Sequence, residues 1–277
     1  MSILRFLQRL GRARNVLPSR SLRLAYYSRS RLRRRAPCLF VSAFPKSGST
    51  FLVTALVHAS GYSRYFLGQN FNSEHDLNFP RLVDSWAMPV VSHQHTRATP
   101  PNLEYLEQFK IRPVILTRNL ADCLVSLRDH LCRESLITPT FCAQPGFADW
   151  PAEQQYDALV DLAAGWYLDF YSGWRQAQAT GVEMLWLDYN TLITQPGQCL
   201  QHIMDFYHLP ISESVLQDAV TQTTRHGNTT RKNVGISGRG QNALTRAQCA
   251  RLNLLTRHYP DTDFTPIGAP FSTQGDS

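Results

Sequence analysis

The sequence predicts an α/β fold in which a parallel sheet is covered on both faces by helices. Short apolar runs alternate with segments of helical periodicity, the pattern that successive βα units leave in a chain. Two of these runs end in small or polar turns that lead directly into a helix, at residues 38–57 and 113–131. The length of 277 residues, with 43% hydrophobic and 18% charged, suffices for one large domain with a proper core.

Each element follows from local pattern. Cys38-Leu39-Phe40-Val41-Ser42 reads as a buried strand, and Phe51-Leu52-Val53-Thr54-Ala55-Leu56-Val57 as a buried helix. Tyr65 to Asp84 reads as irregular. Met88 to Ser92 is the next strand, Asn102 to Phe109 a helix, and Pro113 to Thr117 a strand that ends in a polar turn at Arg118-Asn119. From Ala121 to Leu131 the spacing is helical, with Leu124, Leu127 and Leu131 on one face. Ser135 to Trp150 carries two prolines and several aromatics and reads as a loop, a lid over a substrate pocket. Pro151 to Gln178 reads as one long helix, with Asp149 as its cap and Pro151 in its first turn. Glu183 to Asp188 is a further strand, and Pro196–Tyr207, Ser212–Thr223 and Thr245–His258 are helices.

Charge is unevenly spread. The 11 arginines of residues 1–35, with no acidic residue among them, exceed the whole chain's formal +7, so the remainder carries −4. The mildly acidic remainder argues against a nucleic-acid-binding face on the domain. Residues 1–36 are expected to form a basic, flexible arm, 37–268 the folded domain and 269–277 a disordered tail. The amphipathic start Met1 to Leu10 suits a solvated arm, peripheral contact with an anionic membrane, or transit to an organelle. Nothing in the chain approaches a membrane-spanning length. The six cysteines form no Cys-x-x-Cys pair and no zinc spacing, which fits reduced thiols in a cytoplasm.

The chemistry concentrates in three segments. The first, Ala43-Phe44-Pro45-Lys46-Ser47-Gly48-Ser49-Thr50, joins the first strand to its helix. A helix N-terminus leaves N–H groups unpaired and carries partial positive charge. Gly48 lets an anion approach the backbone, Lys46 adds a full charge, and Ser47, Ser49 and Thr50 add hydroxyls. The lysine precedes the glycine by two residues, unlike the nucleoside-triphosphate loop, where it follows the second glycine. In the second segment Arg118 stands at the carboxyl end of a strand, where open parallel sheets bind ligands, and Ser126 lies eight residues on. The two suit a joint grip on one phosphate, or Arg118 pairs with Asp122. The third, Arg225 to Gly240, is rich in glycine and basic residues and reads as a loop.

Taken together, these segments resemble sulfotransferases that use 3′-phosphoadenosine 5′-phosphosulfate (PAPS), over roughly residues 38–240. The resemblance implies a P-loop-like three-layer α/β/α domain around a central parallel sheet. It implies that Lys46, Ser47, Gly48, Ser49 and Thr50 hold the 5′-phosphate and that Arg118 and Ser126 hold the 3′-phosphate. Arg231 and Lys232 match the family's Arg-Lys-Gly loop, with Gly235 as its later glycine; Asn233 replaces the usual glycine but keeps a backbone amide. Phe51 and Tyr189 match positions beside the adenine. The family's catalytic histidine follows the strand that here ends in Ser92-His93-Gln94-His95. Spacing to Arg118 favours His95 as general base, with His93 second; the two are expected to face opposite sides, so that one enters the pocket.

Lys46 is the candidate to neutralise charge on the leaving phosphate, and an activated donor needs no metal. The implied acceptor is a hydroxyl or amine of a small molecule, lipid or carbohydrate. Two rivals stand beside this reading. A nucleotide kinase or hydrolase is suggested by Asp188 at a strand end, suited to magnesium; a basic-tailed adaptor is suggested by the arm.

Overall fold

The computed structural model describes residues 24, 26, 28, 35–70, 74–225 and 237–273. Strand β1 (Cys38–Ala43) leads to helix α1 (Ser49–Ser60), the short β2 (Ser63–Arg64), α2 (Phe79–Asp84), β3 (Val90–Gln94) and α3 (Pro100–Gln108). Next come β4 (Pro113–Thr117), α4 (Leu120–Arg133), α5 (Ala152–Leu162), α6 (Ala164–Ala179) and β5 (Leu185–Asp188). Helices α7 (Tyr189–Thr194), α8 (Pro196–Phe206), α9 (Glu213–Arg225), α10 (Arg239–Ala243) and α11 (Arg246–Thr256) follow.

The five strands form one sheet in the order β2-β3-β1-β4-β5, and every neighbouring pair is parallel. Every residue of β1 and β4 is buried, as expected for strands covered on both faces. Their side chains alternate. Leu39, Val41, Val114 and Leu116 join α1, α8 and α9 on one face; Phe40 and Ile115 join α2, α4, α5 and α6 on the other. The sheet grows from β1 in both directions, towards β3 and β2 on one side and β4 and β5 on the other. Such a reversal opens a crevice at the carboxyl ends of the strands. Local chemistry fixes the helix starts: Asn119 caps α4 through Asp122 N–H, and Thr245 with Gln248 makes a reciprocal capping box on α11.

Several expectations need correcting. Residues 151–178 do not form one helix; the chain breaks at Ala163, which ends α5 and begins α6. Asp149 does not cap α5 but closes a 3₁₀ turn over Phe147–Asp149. The stretch 65–84, expected to be irregular, ends in α2, whose start Asn78 caps by accepting from Arg81 N–H. Two short helices, α7 and α10, carry too few apolar residues for periodicity to register.

The outer limits of the domain also differ. In the segment expected to be a flexible arm, Tyr26 is buried against Phe79, Trp86 and Phe109. Ala36 N–H donates to the Trp86 carbonyl at 2.8 Å. Residues 269–273, expected to begin a disordered tail, run against α11: Asn253 accepts from Phe271 N–H and donates to its carbonyl, each at 2.8 Å.

Candidate active site

Four strand ends meet at the crevice. The turn after β1 is held open in an unusual backbone. Lys46 has φ +68° and Gly48 φ +81°, both left-handed. For lysine this conformation costs roughly 1–2 kcal/mol, a local strain that the surroundings must hold in place. They do so through carbonyls: Arg118 Nη1 donates to the Lys46 carbonyl at 3.0 Å, and the Tyr167 hydroxyl donates to Pro45 at 3.3 Å. Ser47 spends its proton inside the turn, donating to the Phe44 carbonyl at 2.6 Å. The carbonyls are thus drawn away from the mouth of α1, whose N-cap Gly48 has no side-chain cap. Leu52 N–H is bonded to Gly48 at 3.2 Å, so the amides of Ser49, Thr50 and Phe51 precede the first bonded amide of the helix. Phe51 lies partly buried against the α1 face of the core.

Arg118 is buried at the end of β4, its guanidinium carbon 4.0 Å from the Tyr189 ring centre. Tyr189, just past β5, also abuts the turn: a Cβ on Gly48 would meet its ring at 3.1 Å. Gly48, Arg118 and Tyr189 therefore form one wall. Ser126 is buried two turns further along α4. Arg118 also approaches Asp122, at 3.8 Å, but that carboxylate has stronger partners. Asp122 accepts from Gly238 N–H and Gly240 N–H, each at 2.8 Å. Arg239 adds a pair with Asp129 at 2.7 Å, and the Ser237 hydroxyl bonds Asn190. The carboxyl end of the third segment is thereby fastened beside Arg118. Arg231, Lys232, Asn233 and Gly235 lie outside the described residues.

At the end of β3 the two histidines do not diverge as expected. Their rings meet edge to face, 5.1 Å between centres. Residues two apart on an extended chain share a face, so the expectation of opposite sides fails on simple strand geometry. Their settings still differ. His95 is buried, and its Nδ1 donates to the Ala43 carbonyl at 2.7 Å, directly before the turn. Its Nε2 lies 3.6 Å from a Glu74 carboxylate oxygen. Burial pulls the His95 pKa down to about 4; the bond to Ala43 opposes this, while His75 and Lys46 add to it. Burial, with His95 and Arg64, lowers His93 well below the ordinary value. Its Nε2 is buried without a hydrogen-bond partner among the described residues.

Asp188, the residue behind the rival reading, has a structural role here. Its Oδ1 accepts from Asn190 N–H at 2.7 Å and Thr191 N–H at 3.3 Å, which makes it the N-cap of α7. Cys123, beside the site on α4, has its thiol pushed up to about 12 by burial and is an inert core residue.

A family model for the sulfotransferase domain matches residues 37–234, most of the chain. The chain belongs to the sulfotransferase family. This sulfotransferase is a transferase enzyme with the family's P-loop-like α/β fold. Mouse sulfotransferase SULT7A1, solved with 3′-phosphoadenosine 5′-phosphate (PAP), superposes with a TM-score of 0.63 at 14% identity, over 87% of this chain and 90% of that one. Retinol dehydratase, solved with retinol and PAP, gives 0.56 at 15% identity over 88% and 87%. Its complex with androsterone and PAP gives 0.54 at 14% identity over 86% of each chain. No curated protein matches the sequence.

The turn, Arg118 and the histidine pair lie at adjoining strand ends, together with two neighbours that the sequence did not assign to the site. Glu74 lies in a stretch without periodicity and carries no motif. Asp122 registered as a partner for Arg118, not as the anchor of a loop more than a hundred residues away. Its position one helical turn beyond Arg118 was the available signal.

Proposed function

We propose that this enzyme transfers a sulfuryl group from PAPS to an acceptor hydroxyl, with His95 as general base. The observation that carries the reading is the convergence of Lys46, Gly48, Arg118 and Tyr189 at adjoining strand ends, with His95 bonded to the residue before the turn. The donor set suits a nucleotide with anionic groups at both ends of its ribose. The α1 amides, Ser49, Thr50 and Lys46 hold the 5′ side; Arg118, Ser126 and the third segment hold the 3′ side. The fixed Nδ1–H of His95 leaves Nε2 as the basic atom of the neutral ring. Nε2 takes the acceptor's proton, and Lys46 neutralises charge on the departing phosphate.

A base that is neutral at physiological pH fits the lowered His95 pKa. The chemistry asks for no metal, since positioning and fixed charge carry the transfer. The neighbours crystallised with retinol and androsterone support an apolar small-molecule acceptor here. Trp166, with its ring centre 6.5 Å from that of His95 and stacked on Phe170, offers such an acceptor an aromatic wall.

Two measurements test the reading. Calorimetry is expected to find PAP captured tightly without magnesium; preference for magnesium-ATP overturns it in favour of a kinase. Labelled PAPS offered to a panel of phenols, steroids, alcohols, amines and sugars is expected to show transfer. His95→Ala is then expected to lose turnover by about 10²–10⁴ while keeping PAP affinity. Retained turnover removes His95 as base.

A further inference from the structure

The surroundings of His95 dictate where its protons sit. The Ala43 carbonyl can only accept, so Nδ1 carries hydrogen in either charge state. Nε2 of the neutral ring is then a lone pair, and it lies 3.6 Å from the Glu74 carboxylate. A carboxylate facing a lone pair gains nothing. Facing an N–H of an imidazolium, it gains a charge-assisted contact. The interaction is therefore weak in the resting enzyme and grows only as His95 takes up a proton.

That proton arrives in a poor place for positive charge. The ring is buried, and Lys46 and His75 face it from the turn and from the segment before α2. His93 stands edge-on beside it, and Trp166 closes the side towards α6. Glu74 is built into this site. Its carbonyl accepts from Gln94 Nε2 and Thr96 Oγ1, each at 3.4 Å, so it is tied to the residues on both sides of His95. The next residue is fixed too: Trp166 Nε1 donates to His75 Nδ1 at 3.3 Å, and Asn102 Nδ2 donates to the His75 carbonyl at 2.9 Å.

We propose that Glu74 is a positioning residue for the transfer, the counter-charge that lets His95 hold the proton taken from the acceptor. The inference rests on His95 being the base. In the step, the acceptor O–H bond breaks and its proton passes to Nε2. The acceptor oxygen forms the new S–O bond. The S–O bond to the donor's phosphate breaks, and its electron pair leaves on the phosphate oxygen beside Lys46. Glu74 stays ionised throughout and stabilises the imidazolium formed, as an interaction realised along the reaction rather than before it.

The test needs neither donor nor acceptor. The full chain carrying ¹³C-histidine is titrated by NMR, with the His95 Cε1–H signal assigned by its loss in His95→Ala. Glu74→Gln is expected to lower the His95 pKa by about one unit or more, the size of effect an opposite charge within 4–6 Å exerts. Glu74→Asp, whose carboxylate is drawn back by one methylene, is expected to fall between the two and serves if the glutamine variant does not fold. PAP affinity, which Glu74 does not touch, is expected to be unchanged in both. A His95 pKa the same in these variants as in the wild type overturns the proposal. That result leaves the assignment of His95 standing, which falls separately if His95→Ala keeps its turnover.

Discussion

The two halves of the crevice are built by different means. On the side of β1, β4 and β5, the groups assigned to the donor are held by backbone: a left-handed turn, a helix mouth, and an arginine bonded to a main-chain carbonyl. On the side of β3, the groups assigned to the acceptor are held by side chains from three separate stretches, Glu74, the His93–His95 pair and Trp166. A backbone-built site tolerates little change and leaves a compact mark in sequence. A side-chain-built site can be altered one residue at a time, which is how one donor cradle can serve many acceptors. The differing halves predict different outcomes when each is disturbed.

On the donor side the largest effect is expected at Lys46. Its φ of +68° suits glycine, so Lys46→Gly removes the charge without disturbing the turn. Turnover with labelled donor should fall by about 10²–10³. The denaturation midpoint should move by no more than about 1 kcal/mol equivalent. A large loss of stability would mean that the turn depends on the Lys46 side chain rather than on its backbone, and the contrast between the halves would break.

Next comes the 3′ side. Arg118 both presents a guanidinium to the crevice and holds the Lys46 carbonyl, whereas Ser126 offers one hydroxyl. Arg118→Ala should weaken PAP binding by about a hundredfold and Ser126→Ala by less than about tenfold. Arg118→Lys should not rescue, because a point charge cannot make the fork. Equal losses at the two positions, read by calorimetry, contradict this division of labour.

Asp122 sharpens the comparison, since it carries no ligand contact in this scheme. It fastens Gly238 and Gly240 beside Arg118, and an amide side chain has one acceptor oxygen where the carboxylate has two. Asp122→Asn should cost about tenfold in PAP affinity through the loop it anchors. An unchanged affinity would show that the carboxyl end of the third segment contributes nothing to binding.

The same contrast explains what could be read in advance. The turn, its glycine and Arg118 were legible because strand, turn and helix follow one another within a dozen residues. The parallel sheet was legible because β1 and β4 are covered on both faces and so read as continuous apolar runs. The break at Ala163 was not, because α5 and α6 continue one another's helical composition across it and no proline or glycine marks the join. Glu74 was not legible either. It comes to His95 through bonds from Gln94 and Thr96 across some twenty residues of chain, a contact that no local pattern records.

The smallest effect separates the paired histidines. His93 is half-buried, its pKa held well below the ordinary value by desolvation and then by His95 and Arg64, and its buried Nε2 has no partner among the described residues. The native state therefore keeps it neutral, while the unfolded chain protonates it below about pH 6.5. With more protons bound to the unfolded state, stability is fully present above that pH and is lost as pH falls below it. Between pH 7 and pH 5 His93 therefore contributes a loss of stability. His93→Gln removes the titrating ring, so its denaturant midpoint should decline less over that interval than the wild type's. Turnover should be kept, because the base is its neighbour. If the variant instead loses turnover and keeps the acid sensitivity, His93 faces the acceptor and His95 packs the strand end, and the roles argued for the two rings are exchanged.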